Sequence, residues 1–126
     1  MSSDQLAMHM TRIAVTEEVD SYFVVDLIPL SDAGEIGHLS QSVEVGKIIF
    51  RHNDADYDYD WHCALRRPYI VMLDGEIEIE VSCGEKRTFR GGDVLLIEDT
   101  WGKGHRTRLT NGQPRGSLFI PADPST

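Results

Sequence analysis

Between Pro68 and Val81 the chain passes from a solid apolar run to a strict alternation. Pro68 to Leu73 is compact and apolar, and Asp74-Gly75 is a two-residue turn signal. Then Glu76, Ile77, Glu78, Ile79, Glu80 and Val81 alternate. A period of two sets Ile77, Ile79 and Val81 on a core face and the three glutamates in water, whereas a helix would scatter the apolar groups around its axis. Further runs of strand character are Arg12 to Thr16, Tyr22 to Ile28, Ser42 to Phe50, Lys86 to Arg90, Asp93 to Ile97, Thr107 to Leu109 and Ser117 to Ile120. Asp32-Ala33-Gly34, Ser82 to Glu85, Gly91-Gly92 and Asn111-Gly112 supply turns between them. No segment sustains helical periodicity over three turns. The first eight or nine residues and the tail at Asp123 to Thr126 are polar and expected to fray. The pattern predicts an all-β sandwich, barrel or jelly roll, in which closure protects strand edges.

The length of 126 residues suits one domain with one hydrophobic core. The net charge of −9, from 21 acidic and 12 basic side chains, repels phosphate backbones and anionic membranes, which argues against a nucleic-acid or membrane partner. Asp54, Asp56, Asp58 and Asp60, with Tyr57 and Tyr59 between them, read as a solvated loop; a cation site there is the minority alternative. Cys63 and Cys83 form no CxxC and no disulfide framework, and no leader-like segment stands at the start, so a cytoplasmic location is expected. No phosphate loop, dinucleotide fingerprint or Ser-His-Asp spacing is present.

Two stretches resemble the signature of the cupin family. Its first motif is G-x5-H-x-H-x(3,4)-E-x6-G. Counting back from Gly75 puts Pro68 at the glutamate, Ala64 at the second histidine and His62 at the first. The second motif, G-x5-P-x-G-x2-H-x3-N, begins at Gly92, has Glu98 at the proline position, and reaches His105 two residues late through a longer loop. The resemblance covers about residues 42–120 and implies a cupin-type double-stranded β-helix, a jelly-roll barrel, spanning 1–126 as a single domain. Strands within 10–30 would pack on the barrel or on a dimer partner. Family members are usually homodimers with a pocket at the barrel mouth, bind iron, manganese, zinc, nickel or copper, and include oxygenases, isomerases, lyases, epimerases and non-enzymatic binders. A shared fold does not fix which.

The usual cupin metal set joins three imidazoles and a carboxylate, but Ala64 and Pro68 offer no donor. His62 and His105 remain as candidate metal ligands for a weakly bound Fe, Mn, Zn or Ni ion, with Asp60 as a further oxygen by strand parity. Without a metal, the same two imidazoles suit acid–base catalysis near neutral pH, with Glu98 orienting one ring. Arg66, placed by parity on the face of His62, suits an anionic group of the substrate. Trp61 and Trp101 are candidate aromatic walls, Trp101 as a mobile lip beside Gly102 and close to Gly104. Cys63 alternates away from His62 and is expected to pack. His9, His38 and His52 carry no motif and are expected in loops. The leading expectation is an enzyme acting on a small polar or anionic organic molecule. The alternative is a non-catalytic ligand-binding or dimeric interaction protein whose metal site has decayed.

Overall fold

The computed structural model describes residues 6–122. The expected fraying of 1–5 and 123–126 lies outside them, whereas Ala7, Met8 and His9 are already in a strand. The strands are β1 (Ala7–Val15), β2 (Ser21–Pro29), β3 (Ser31–Asp32), β4 (His38–Leu39), β5 (Ile49–Asn53), β6 (Asp58–His62), β7 (Pro68–Met72), β8 (Glu76–Val81), β9 (Lys86–Arg90), β10 (Val94–Ile97), β11 (His105–Leu109) and β12 (Arg115–Pro121). One 3-10 turn, Gly34–Ile36, is the only helical element among the described residues, none of which forms a helix long and apolar enough to cross a membrane.

Two sheets face each other, β2-β1-β10-β7-β12-β5 and β6-β11-β8-β9, with β3 and β4 forming a small separate hairpin. From β5 to β8, and again from β9 to β12, successive strands alternate between the two large sheets, which winds the chain into the expected jelly roll. Pairing is antiparallel except where β1 runs parallel to β10, Thr11 opposite Leu95. The N-terminal hairpin thereby extends the larger sheet past β10.

The core follows the period-two reading. Ile77, Ile79 and Val81 are at most 2% exposed and pack with Ile13, Met72, Leu95 and Ile97. Each such aliphatic group contributes about 1.5–3 kcal/mol by leaving water. Phe23 of β2 meets Phe89 of β9 with ring centroids 6.0 Å apart. The opposite face of β8 is not simply wet. Glu76, Glu78 and Glu80 stand directly across from Arg90, Arg108 and Arg106 and form ion pairs at 2.8, 3.0 and 2.9 Å. Partly exposed pairs of this kind contribute about 0.2–1 kcal/mol each.

Three expectations need correction. The strand expected over 42–50 instead begins at Ile49, and 40–48 has no strand structure. Val43 and Ile48 stay exposed because β5 already forms the sheet edge, and the preceding segment is tied to the end of β12 through the Gly46 N–H donating to the Pro121 carbonyl. The acidic run is only half a loop. Asp54 to Tyr57 closes a turn, but Asp58 and Asp60 belong to β6, which pairs with β11. His9, His38 and His52, expected in loops, instead lie in β1, β4 and β5.

Candidate functional site

A cavity of about 490 Å³ opens between the sheets, within the range of small-molecule pockets. Ile70, Ile77, Ile79, Ile97 and Phe119 supply apolar wall, and a few polar side chains project into it. His62 and His105 are among them. They oppose each other in register on β6 and β11, with ring centroids 4.4 Å apart and planes tilted by 59°. The histidines of the two motif-like stretches meet inside a two-sheet jelly roll. The fold is cupin-like.

His105 is 4% exposed, and its Nδ1 lies 2.6 Å from Oδ2 of Asp99, which is fully buried. The same oxygen accepts a hydrogen bond from the Ser21 hydroxyl at 2.7 Å. An ionised carboxylate only accepts, so the His105 proton sits on Nδ1 and Nε2 is left for the cavity. Asp99 Oδ1 is buried and has no hydrogen-bond partner among the described residues. On His62, Nδ1 donates to the Asp60 carbonyl at 2.7 Å, which commits that nitrogen too. Tyr59 lies flat on the His62 ring, 3.7 Å between centroids and 7° between planes. Burial lowers the His62 pKa from its ordinary 6.5; the Asp60 carbonyl opposes this, and a charge on His105 adds to it.

The stacking of Tyr59 on His62 follows from a bulge. Tyr59 is in register with Thr107 and His62 with His105, so Asp60 and Trp61 together oppose Arg106 alone. Strict alternation fails there, and the parity argument for Asp60 fails with it. The Asp60 carboxylate is exposed, accepts the Trp61 N–H at 2.9 Å, and is not part of the cavity wall. Trp61 is 43% exposed, with the Arg106 guanidinium 5.7 Å from its ring centroid, also away from the cavity. Trp101 is 54% exposed and lies outside the wall.

Arg66 does line the cavity, by a different route from the one expected. β6 ends at His62, and Arg66 and Arg67 take left-handed conformations with φ of 64° and 47°. Glu98 is directed elsewhere: it accepts from Arg12 and Arg67, both at 2.9 Å, and is absent from the wall. The carboxylate beside His105 belongs to the next residue, Asp99. Cys63, expected to pack away from the site, lines it, with its thiol donating to the Gly102 carbonyl at 3.3 Å. Burial pushes that thiol pKa up, and the Asp99 charge adds, which opposes a nucleophilic role.

Asp99, Ser21, Tyr59, Arg51 and Arg115 were not signalled by sequence. Asp99 adjoins Glu98, and the choice between them depends on where β10 ends. Arg115 is 2% exposed at the start of β12, a burial no charged residue announces. Among the described residues no three His, Cys, Asp or Glu side chains form a metal-holding group. Ala64 and Pro68 stand in the wall where cupin ligands would be, which leaves Nε2 of His62 and Nε2 of His105 as the imidazole donors facing the cavity. This donor set does not fit a tightly held divalent ion, which takes three or more protein ligands.

No protein-family model matches the chain, and neither does any curated protein sequence. Crystal structures similar to it include the following two. Protein NMB1881 from Neisseria meningitidis is 17% identical with a TM-score of 0.44, over 64% of this chain and 81% of that one. A candidate ethanolamine utilization protein Q from Salmonella typhimurium LT2 is 16% identical with a TM-score of 0.41, over 96% of this chain and 100% of that one.

Proposed function

We propose that this cupin-like protein is an enzyme that moves a proton on a small polar organic molecule, by general acid–base catalysis and through the His62–His105 pair. The observation that carries the reading is the buried Ser21–Asp99–His105 chain, ending on an imidazole that faces a second imidazole across the cavity. Nε2 of His105 accepts the proton, and Asp99 stabilises the resulting imidazolium and holds its tautomer. His62, kept neutral by burial with its proton on Nδ1, accepts a hydrogen bond from the substrate at Nε2 and orients it, and the His105 imidazolium returns the abstracted proton. Proton abstraction and return describe an isomerase, an epimerase or a lyase. A cytoplasmic homodimer accompanies this reading, on the strength of two cysteines outside any disulfide and of the motif resemblance.

The test is hydrogen exchange in heavy water. Wild-type protein is incubated with a panel of small hydroxy and keto compounds, and loss of C–H signals is followed by proton NMR. One compound should exchange, and His105→Gln should slow it about 100-fold or more, the usual contribution of a general base. Binding without exchange across the panel would favour the non-catalytic alternative, for which the ligand-free positions Ala64 and Pro68 speak.

A further inference from the structure

Arg66 apart, the arginines of this chain divide into two groups. Arg12, Arg67, Arg87, Arg90, Arg106 and Arg108 each pair with a carboxylate. Arg51 and Arg115, both in the cavity wall, pair with none among the described residues. That is notable in a chain with 21 acidic side chains against 12 basic ones. Arg115 is also the largest fully buried side chain, at 2% exposure. A guanidinium taken out of water without an anion is costly, and such charges are ordinarily paired.

The partners Arg115 does have are neutral. Nε and Nη2 both donate to Asn53 Oδ1, at 3.1 and 2.7 Å, from the register partner on β5. Nη1 reaches Met72 Sδ at 3.5 Å, a weak acceptor. One further N–H on Nη1 and one on Nη2 have no acceptor among the described residues. Arg51 donates to the Tyr57 hydroxyl at 3.0 Å and lies over the rings of Phe119 and Tyr57, at 4.6 and 5.3 Å from their centroids. The two guanidiniums are close enough that Arg51 helps lower the Arg115 pKa, after burial itself, to about 10, so Arg115 stays cationic at neutral pH. The fold thus holds two like charges beside one apolar cavity and neutralises neither.

We propose that Arg115, supported by Arg51, docks the carboxylate of a small organic acid whose apolar body lies along Ile70, Ile77 and Ile79. Two N–H groups on one planar guanidinium match the two oxygens of a carboxylate. Asn53 holds the planar group in place, so little side-chain freedom is lost on binding. The proposal names the substrate class for the reading above and rests on it only in that the cavity takes a small molecule.

The experiment is titration calorimetry of the full chain with hexanoate and benzoate, with hexanamide and benzamide as neutral matches, and with inorganic phosphate. Wild-type protein should bind the carboxylates at least about tenfold more tightly than the amides, as expected for a charge-assisted pair in a dry site. Arg115→Gln should remove that preference while circular dichroism and the melting transition report a folded barrel. If Arg115→Gln does not fold, Arg115→Lys, which keeps the charge but not the fork, should weaken carboxylate binding several-fold, and Arg51→Gln should weaken it less. Amides binding as well as carboxylates, or carboxylate affinity unchanged in both Arg115 variants, would overturn the proposal. Tighter binding of phosphate than of either carboxylate would overturn it in favour of a phosphorylated ligand. His105→Gln separates the two readings: it should slow hydrogen exchange about 100-fold or more and leave carboxylate affinity within about twofold, because the docking arginine is untouched.

Discussion

Asp99 reaches His105 from complete burial, its Oδ2 2.6 Å from the ring Nδ1, and the same oxygen accepts a hydrogen bond from the Ser21 hydroxyl. A carboxylate so placed gives the imidazole one tautomer and one orientation. Asp99→Asn keeps the shape and removes the charge. It should lower any hydrogen-exchange activity far more than substrate affinity, and destabilise the fold by about 2 kcal/mol. Ser21→Ala should cost about 1 kcal/mol, since one hydrogen bond is lost and its acceptor keeps another. Urea unfolding with unchanged m-values checks both figures.

His62 makes stability depend on pH in one direction. Its native pKa lies below the ordinary 6.5, so between those two values the unfolded chain binds the proton and the native one resists it. Stability should therefore be full above about pH 6.5 and fall as acid is added through that window. His62→Gln should flatten this part of the profile. A Tm-against-pH curve with the same slope in both proteins would contradict the assignment.

Gly104 lets β11 begin against β6. Its φ is +81°, and a Cβ there would run into the His62 carbonyl. Gly112, at φ +72°, has open space where its Cβ would be. Gly112→Ala should cost only the left-handed strain of about 1–2 kcal/mol. Gly104→Ala should cost more and shift the ring signals of both His62 and His105 in NMR spectra, which Gly112→Ala should not do.

Glu98 and Trp61 provide the opposite check. Glu98 ties Arg12 to Arg67, and Trp61 lies under Arg106 on the outer side of the bulge. Glu98→Gln breaks partly exposed ion pairs and should cost about 1 kcal/mol. Neither Glu98→Gln nor Trp61→Ala should change hexanoate affinity by more than about twofold, measured by the same calorimetry, because neither side chain faces the cavity.

Much of the fold was readable because β8 alternates strictly, β7 and β10 are solid apolar runs, and Asp74-Gly75 marks the turn by which the chain crosses from one sheet to the other between β7 and β8. The meeting of His62 and His105 was also legible, since motif spacing encodes which strands lie opposite. The remainder failed where one residue of offset changes the face. The bulge at Asp60-Trp61 turned both side chains outward, and the end of β10 handed the carboxylate from Glu98 to Asp99. Such offsets arise from pairing between distant strands, which no local pattern reports. Arg115 was hidden for another reason: a buried charge is unfavourable on average, so composition argues against it until its surroundings are known.

The parallel pairing of β1 with β10 brings Ser21 to Asp99 and Arg12 to Glu98 across 78 and 86 residues of sequence. During synthesis the first hairpin leaves the ribosome long before the strand it must join, and waits with an unpaired edge. Productive folding then depends on the last third of the chain arriving to close that edge, so the Ser21–Asp99–His105 chain cannot assemble piecemeal. A protein wired in this way should fold slowly and all at once, and a protease cut between β2 and β5 should silence the histidines without touching either of them.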